Sequence, residues 1–267
     1  MEMLDPEIAK NILSKFKPED RPSLLDAVNL GNKSRVELEI WGLFCSCFAW
    51  GRVSRKRNIL IPFYKNLPGT FTEFVIDPSQ DLLKNLYKKE NRWLKLLGLC
   101  LAIRDMLEEH GSISEFVKES EGLVHAIFKL AYTLREKLDR YPPYPKKMKF
   151  NLPRVDLTPP QTEKEKKKIS ALKRFCMYFR WMVRDSELDF GLWNFFDKSD
   201  LCHPVDTHVA KIMKRWGVLP NNSVNWLNVE KVTEYFKTVE PNDPTKFDYH
   251  LVTFGQNFCE KTDATDY

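Results

Sequence analysis

Two residues, Lys173 and Asp206, have the side-chain types needed for covalent catalysis by an amine. Lys173 lies on an amphipathic helical pattern, and Asp206 follows 33 positions later, just after Pro204 and Val205, where another helix begins. A neutral lysine amine attacks electrophilic carbon and forms a Schiff base with a carbonyl carbon. Desolvation and a neighbouring cation, here Arg174, favour the neutral amine. Because a nearby carboxylate stabilises positive charge at the reacting carbon, the pair is a candidate for amine-based catalysis.

Each residue also has an ordinary structural interpretation. An aspartate just before a helix usually accepts hydrogen bonds from the first-turn amides as an N-cap. A lysine on a helix is usually solvated, and His203 and His208 fit a loop and a first helical turn. The residue types alone leave the structural and the catalytic interpretations open.

Composition restricts the classes of protein. The 267 residues are 43% hydrophobic and 13% aromatic, which excludes a disordered chain and allows a sizeable core. The sequence lacks a run of about 18 apolar residues, and its acidic start lacks an apolar signal core. The six cysteines include no Cys-x-x-Cys pair, so we expect reduced thiols, no metal site and a cytoplasmic protein.

Positive charge is concentrated in one stretch. Residues 140–184 contain 13 Lys or Arg and 3 Asp or Glu, a net charge of +10, whereas the whole chain carries +5. This asymmetry predicts an anionic partner at that region, with a solvated helix face as the alternative.

The pattern of apolar residues predicts an all-α protein, a two-lobed orthogonal helical bundle formed by one domain over residues 1–267. The clearest helix is predicted at 170–184, with Lys173, Arg180 and Arg184 on a face away from its apolar stripe. Other helices are predicted at 207–216, 226–239 and 244–258, at two places between 81 and 109, and after N-caps at Ser34 and Ser114. Residues 34–37 predict a capping box in which Glu37 reaches back to Ser34. Residues 140–168, rich in proline and lysine, are interpreted as an irregular crossing between the lobes, and 189–201 as a loop.

The segment Pro-Val-Asp-Thr-His-Val at 204–209, with its basic continuation to Leu219, resembles the helix-hairpin-helix DNA glycosylase superfamily, of which endonuclease III is a member. Residues 250–259 are similar to that family's closing helix. The resemblance implies that Asp206 is catalytic and that Lys173 is the nucleophile of a bifunctional enzyme, which removes a damaged base and cleaves the abasic strand by β-elimination. A more distant likeness is to the archaeal oxoguanine glycosylases, which also pair a lysine with an aspartate.

A closer likeness is to a prokaryotic family of undefined function within this superfamily. It rests on the motifs at 37–52, 170–174, 179–184, 189–193 and 204–208. Three features depart from endonuclease III. The glycine-rich hairpin is degenerate, since Lys-Lys-Lys-Ile-Ser-Ala precedes the segment at 172–173. The gap from Lys173 to Asp206 is longer. The four-cysteine loop is missing, so we expect no iron–sulfur cluster and no other cofactor.

The expected partner is double-stranded DNA carrying a damaged base or an abasic site, bound by a monomer near the nucleoid. The target base would be flipped into a pocket lined by aromatic side chains, for which a core role is the alternative. The candidates are Trp50, Trp181, Trp193 and Phe196. Phosphate contacts are predicted for Arg52, Lys146, Lys147, Lys149, Lys167, Lys168, Arg174 and Lys211. Two other functions remain open, namely a non-catalytic nucleic-acid-binding protein on the same scaffold and a helical protein that binds an acidic surface.

Overall fold

The computed structural model describes residues 3–16, 33–49, 53–86, 93–141 and 152–262 of the chain. Within these residues the protein is predominantly helical, and its only sheet is one two-stranded ladder. The all-α prediction is therefore confirmed. The elements are α1 (Pro6–Leu13), α2 (Arg35–Cys47), α3 (Val53–Lys65), α4 (Phe71–Ile76), α5 (Gln80–Leu86), α6 (Trp93–His110), α7 (Ile113–Lys118), α8 (Leu123–Asp139), α9 (Glu163–Lys168), α10 (Lys173–Val183), β1 (Asp185–Ser186), β2 (Asp189–Phe190), α11 (Thr207–Arg215), α12 (Trp226–Val239) and α13 (Asp248–Thr262).

The chain divides into two compact units, each discontinuous in sequence. The first unit comprises Met1–Arg21, Pro160–Arg180 and Phe196–Tyr267, and it contains both Lys173 and Asp206. In this unit α12 packs against α1 and α9, while α11 packs against α13. The connection between α9 and α10 is held to the start of α12, because Trp226 N–H donates to the Ile169 carbonyl at 2.9 Å.

The second unit comprises Pro22–Pro159 and Trp181–Phe195. Here α6 packs against α4, α5 and α8, and α2 packs against α4 and α7. A fully buried carboxylate, Glu39, lies in this core and accepts hydrogen bonds from Ser114 N at 3.1 Å and Trp193 Nε1 at 3.0 Å. These two donors from distant segments, together with Arg35 Nε at 3.2 Å, satisfy a charge whose burial would otherwise be costly.

The predicted capping box at α2 forms only in part. Ser34 Oγ accepts from the Glu37 amide at 3.1 Å, so the N-cap is confirmed. The Glu37 carboxylate does not reach back, however, and instead accepts from Tyr64 Oη at 2.7 Å and Phe71 N at 3.2 Å. A buried carboxylate is better satisfied by these two core donors than by one amide at the helix end.

The helix cap predicted at Ser114 is wrong. Ser112 caps α7 by accepting from Glu115 N at 3.1 Å, and Ser114 is the second residue of that helix. Gly122, with φ 129°, then separates α7 from α8, so the single predicted helical region is two helices.

The predicted helix at 170–184 begins three residues later than its apolar pattern indicates. Ser170 forms an isolated bridge with Asn225, and Leu172 has φ 47°, so regular helix starts at Lys173. Residues 185–190, the start of the extra length before Asp206, form the β1–β2 hairpin. The end of the predicted crossing is helical, since α9 carries a complete capping box from Thr162, whereas residues 142–151 lie outside the described residues.

Candidate active site

Lys173 is placed by an unusual backbone conformation at the preceding residue. Leu172 is the only non-glycine residue with positive φ in the described part of the chain. Its carbonyl accepts from Phe175 N at 2.9 Å and from Cys176 N at 3.0 Å, and its side chain is 2% exposed. Left-handed backbone costs an L-residue roughly 1–2 kcal/mol. Burial and the two hydrogen bonds hold the strained conformation, and α10 therefore begins abruptly at Lys173.

Asp206 is both a helix cap and an ion-pair partner. One carboxylate oxygen, Oδ1, accepts from His208 N at 2.9 Å and Val209 N at 3.0 Å, which are first-turn amides of α11. The other oxygen, Oδ2, accepts from Lys173 Nζ at 2.7 Å. The cap that the sequence predicts is confirmed. The cap and the lysine partner are not alternatives here, because they use different atoms of one side chain.

The Lys173–Asp206 ion pair is half-buried, with 33% and 22% of the two side chains exposed. Its length is typical of a charge-assisted hydrogen bond. Burial raises the pKa of the Asp206 carboxyl, but the Lys173 ammonium and the Val209 amide outweigh burial, so the pKa lies below its usual value. An ionised carboxylate thus faces a lysine amine at a distance that permits proton transfer between them.

A second ion pair lies in the interior of the same unit. Arg180, on α10, is 0% exposed and is paired with Asp248, the first residue of α13, which is 7% exposed. The Arg180 guanidinium also lies over the Tyr249 ring, 4.3 Å from its centroid. The prediction separated Arg180 from the buried stripe of α10, but Arg180 is fully buried and its charge is compensated inside the core.

His203, three residues before Asp206, is fully buried and stacks on Phe236, with ring centroids 4.5 Å apart and planes at 17°. Its backbone N–H donates to Thr233 Oγ1 at 2.9 Å. Burial lowers the pKa of His203 and outweighs the opposing influence of Asp248, which favours the neutral ring. The segment that leads to Asp206 is thus fixed to α12 by a stacked ring and a backbone hydrogen bond.

Residues 29–257 match a family model described as "Protein of unknown function (DUF2400)". The match includes Lys173, Arg180, Asp206 and Asp248. The chain belongs to the DUF2400 family. No curated protein and no solved structure matches this DUF2400 chain.

The aromatic candidates in this DUF2400 chain fall into different environments. Trp181 and Trp193 are each 1% exposed in the core of the second unit, where Trp193 Nε1 donates to Glu39. Phe196 is half-buried in the first unit and packs on Phe179, with ring centroids 6.0 Å apart. Trp50 lies outside the described residues. Burial favours the core role for both tryptophans, and Phe196 is the described candidate with accessible surface.

The described basic candidates lie in the same unit as Lys173. Lys167, Lys168 and Lys211 are exposed, and Arg174 is half-buried. Lys167 has an ion pair with Glu163 at 3.6 Å, on the same exposed helix. Arg52, Lys146, Lys147 and Lys149 lie outside the described residues.

Convergent metal ligands and membrane-spanning helices are both absent from the described ranges. Within them, no three His, Cys, Asp or Glu side chains converge to hold a metal ion. None of the helices in those ranges has both the length and the apolar character needed to cross a bilayer.

Sequence reasoning missed the Arg180–Asp248 pair and the buried Glu39. Both depend on residues far apart in the chain, 68 positions for the first and 154 for Glu39 with Trp193. The local signal for Arg180 is its position on α10 beside the apolar stripe. The helical pattern separates it from that stripe and so does not show that it is buried.

Proposed function

We propose that this protein is a DNA base-excision repair enzyme, a DNA glycosylase with abasic-site lyase activity. The observation that carries the proposal is the contact between Lys173 Nζ and Asp206 Oδ2 at 2.7 Å. The resemblance of the 204–219 segment to the helix-hairpin-helix glycosylases supports it. We also propose the corresponding fold, in which α9, residues 169–172 and α10 stand in place of the hairpin and its flanking helices.

In the proposed reaction the damaged base is flipped out of the duplex, since C1′ is not accessible in the stack. Asp206 Oδ2 takes a proton from the Lys173 ammonium, and the free amine attacks C1′. The glycosidic bond breaks and its electron pair leaves with the base, which acquires the proton held on Asp206 Oδ2. Ring opening moves one proton from the lysine nitrogen to O4′ and gives an iminium. Loss of a 2′ proton then expels the 3′ phosphate. Once it has given up this proton, the ionised Asp206 carboxylate stabilises the positive charge on the iminium.

The partner and the location belong to the same proposal. Exposed lysines on α9 and α11 supply cations for phosphate contacts, which give affinity without sequence information. The substrate is double-stranded DNA with a damaged base or an abasic site. We propose that the protein acts as a monomer at the nucleoid in the cytoplasm.

The proposal is tested by borohydride trapping on an abasic duplex. The wild-type protein should form a covalent adduct, and Lys173→Ala should form none. On duplexes that each carry a single damaged base, Asp206→Asn should lose base removal by roughly 10²-fold or more. Its melting temperature should change little, because asparagine caps helices as well as aspartate. Lys237→Ala is the matched control, since Lys237 is an accessible lysine paired with Glu234 on α12.

The outcomes separate the candidate functions. Adduct formation by Lys173→Ala would assign the nucleophile to another residue. Salt-dependent duplex binding without any adduct would favour the non-catalytic nucleic-acid-binding protein, in which Asp206 Oδ1 serves only as the cap. The absence of both would leave the acidic-surface partner as the remaining function.

A further inference from the structure

We infer that the buried Arg180–Asp248 pair is a positioning device that sets where Lys173 meets Asp206. This inference rests on the proposed function for its catalytic consequence. The geometry, however, is measurable without activity. Arg180 and Asp248 act on the Lys173–Asp206 pair through the elements that carry it.

Helix α10 links the two ion pairs. Lys173 and Arg180 are separated by two helical turns, so they lie on nearly the same face, roughly 10 Å apart along the axis. Lys173 stands at the half-buried end of this face, and Arg180 is fully buried further along it. Because a helix is stiff over two turns, fixing Arg180 fixes the axial position and rotation of Lys173.

Asp248 anchors this linkage on a second helix. It begins α13, which packs against α11, the helix that Asp206 caps. The Arg180–Asp248 pair therefore joins the helix of the lysine to the neighbour of the helix of the aspartate. Its partners allow little movement, because the guanidinium also lies against the Tyr249 ring.

His203 lies three residues before Asp206, in the segment that leads to α11. It is fully buried, and its backbone is held by Thr233. The segment carrying Asp206 is thus held to α12 and has little freedom of its own. A shift of α10 at Arg180 would change the Lys173–Asp206 distance and could not be followed by Asp206.

A buried ion pair contributes little net stability, since apolar residues of similar volume often replace it without loss of stability. Its value here is that an arginine fork and a carboxylate meet in one geometry, whereas apolar side chains pack in several. A paired substitution can therefore preserve the fold and remove the positional constraint.

The test uses a double variant, Arg180→Met with Asp248→Leu, and Arg180→Lys as a conservative variant in case the double variant does not fold. Two readouts are used. The first is the acetylation rate of Lys173 by acetic anhydride, followed by mass spectrometry with Lys237 as the internal control. The second is the maximal rate of borohydride trapping and its pH profile on a saturating abasic duplex.

We expect either folded variant to acetylate Lys173 faster than wild type, approaching the rate in Asp206→Asn, with Lys237 unchanged. The trapping rate should fall about tenfold or more, because small displacements of reacting groups are costly, while duplex affinity stays constant. Wild-type acetylation and trapping in a folded variant would overturn the inference. Faster acetylation together with no trapping by wild type would overturn the proposed function and leave the positioning role intact.

Discussion

At Leu172 the backbone adopts a conformation that glycine takes without cost, yet the residue is a buried leucine. The leucine side chain fills the core, and the strained φ starts α10 where Lys173 can meet Asp206. Strained backbone of this kind persists only when the surrounding structure imposes it. The strained backbone at Leu172 therefore lowers the stability of the fold somewhat, and it places Lys173.

Substitution at Leu172 separates the strain from the packing. Leu172→Gly and Leu172→Ala both leave a cavity, but only glycine relieves the positive φ. We expect the glycine variant to be more stable than the alanine variant by about 1 kcal/mol, measured by urea unfolding. At Leu130, buried within α8, the order should reverse, because glycine is unfavourable in a helix interior. An alanine variant at least as stable as glycine at Leu172 would contradict the strained conformation.

The pH dependence of stability should report the Lys173–Asp206 ion pair. The pKa of Asp206 is lowered in the folded state, so its stabilisation is present above the usual value of 3.8 and is lost as pH falls through the folded value. Wild type should exceed Asp206→Asn by less than about 1 kcal/mol at pH 7, since the pair is partly exposed. The difference should decline as pH falls below 3.8. In a Lys173→Ala background it should be smaller at pH 7, and an equal difference would show that the lysine is not its cause.

At the scale of elements, local signals predict what local interactions build. The helix α11 follows from its Asp206 cap and from Gly217 at its end, which has φ 76°. The helix α12, Trp226–Val239, is also found at its predicted bounds. The buried charges were not predictable, because a pattern of apolar residues cannot show that Arg180 finds a carboxylate in another helix. The candidate pair itself was predicted, but its contact, which joins two helices, required the structure.

The segment after α10 contains aromatic side chains in two different environments. Trp193 donates to Glu39 in a core, whereas Phe196 retains accessible surface. We expect Trp193→Leu to lower the free energy of unfolding by about 2–3 kcal/mol, since it leaves a buried carboxylate oxygen without this donor.

We expect Phe196→Leu to weaken binding to a lesion duplex by about 1–3 kcal/mol, the range for loss of a stacked base. Both energies are measured for both variants, by urea unfolding and by duplex titration. Weakened binding by a folded Trp193→Leu variant would restore Trp193 as a stacking residue.

For the whole molecule, the distribution of charge has more consequences than the net charge. The chain carries +5 overall, but residues 140–184 carry +10. The structure describes part of this stretch as the exposed helix α9, which lies in the same unit as the Lys173–Asp206 pair. We therefore expect a polyanion to be attracted to this region, although the rest of the sequence is acidic.

Salt dependence of duplex binding should locate that region. Replacing Lys167 and Lys168 with alanine should flatten the slope of log affinity against log salt by about 0.9 for each phosphate that the variant no longer neutralises. The matched control replaces Lys237 and Lys246, which are accessible lysines with carboxylate partners outside the basic stretch. It changes the net charge equally and should leave the slope unchanged. Equal slopes in the two double variants would assign the effect to overall charge and place the DNA elsewhere.

The two oxygens of Asp206 have a consequence for the course of a reaction cycle. Covalent capture of Lys173 would withdraw the hydrogen bond to Oδ2 and leave the two amide contacts to Oδ1 as they are. The start of α11 would then stay intact while its neighbour is chemically altered, and the released oxygen would be available to the next proton in the sequence of steps. Within the Asp206 side chain, Oδ1 keeps its contacts with the start of α11, while Oδ2 can exchange its hydrogen-bond partner. Turnover therefore need not be accompanied by local unfolding.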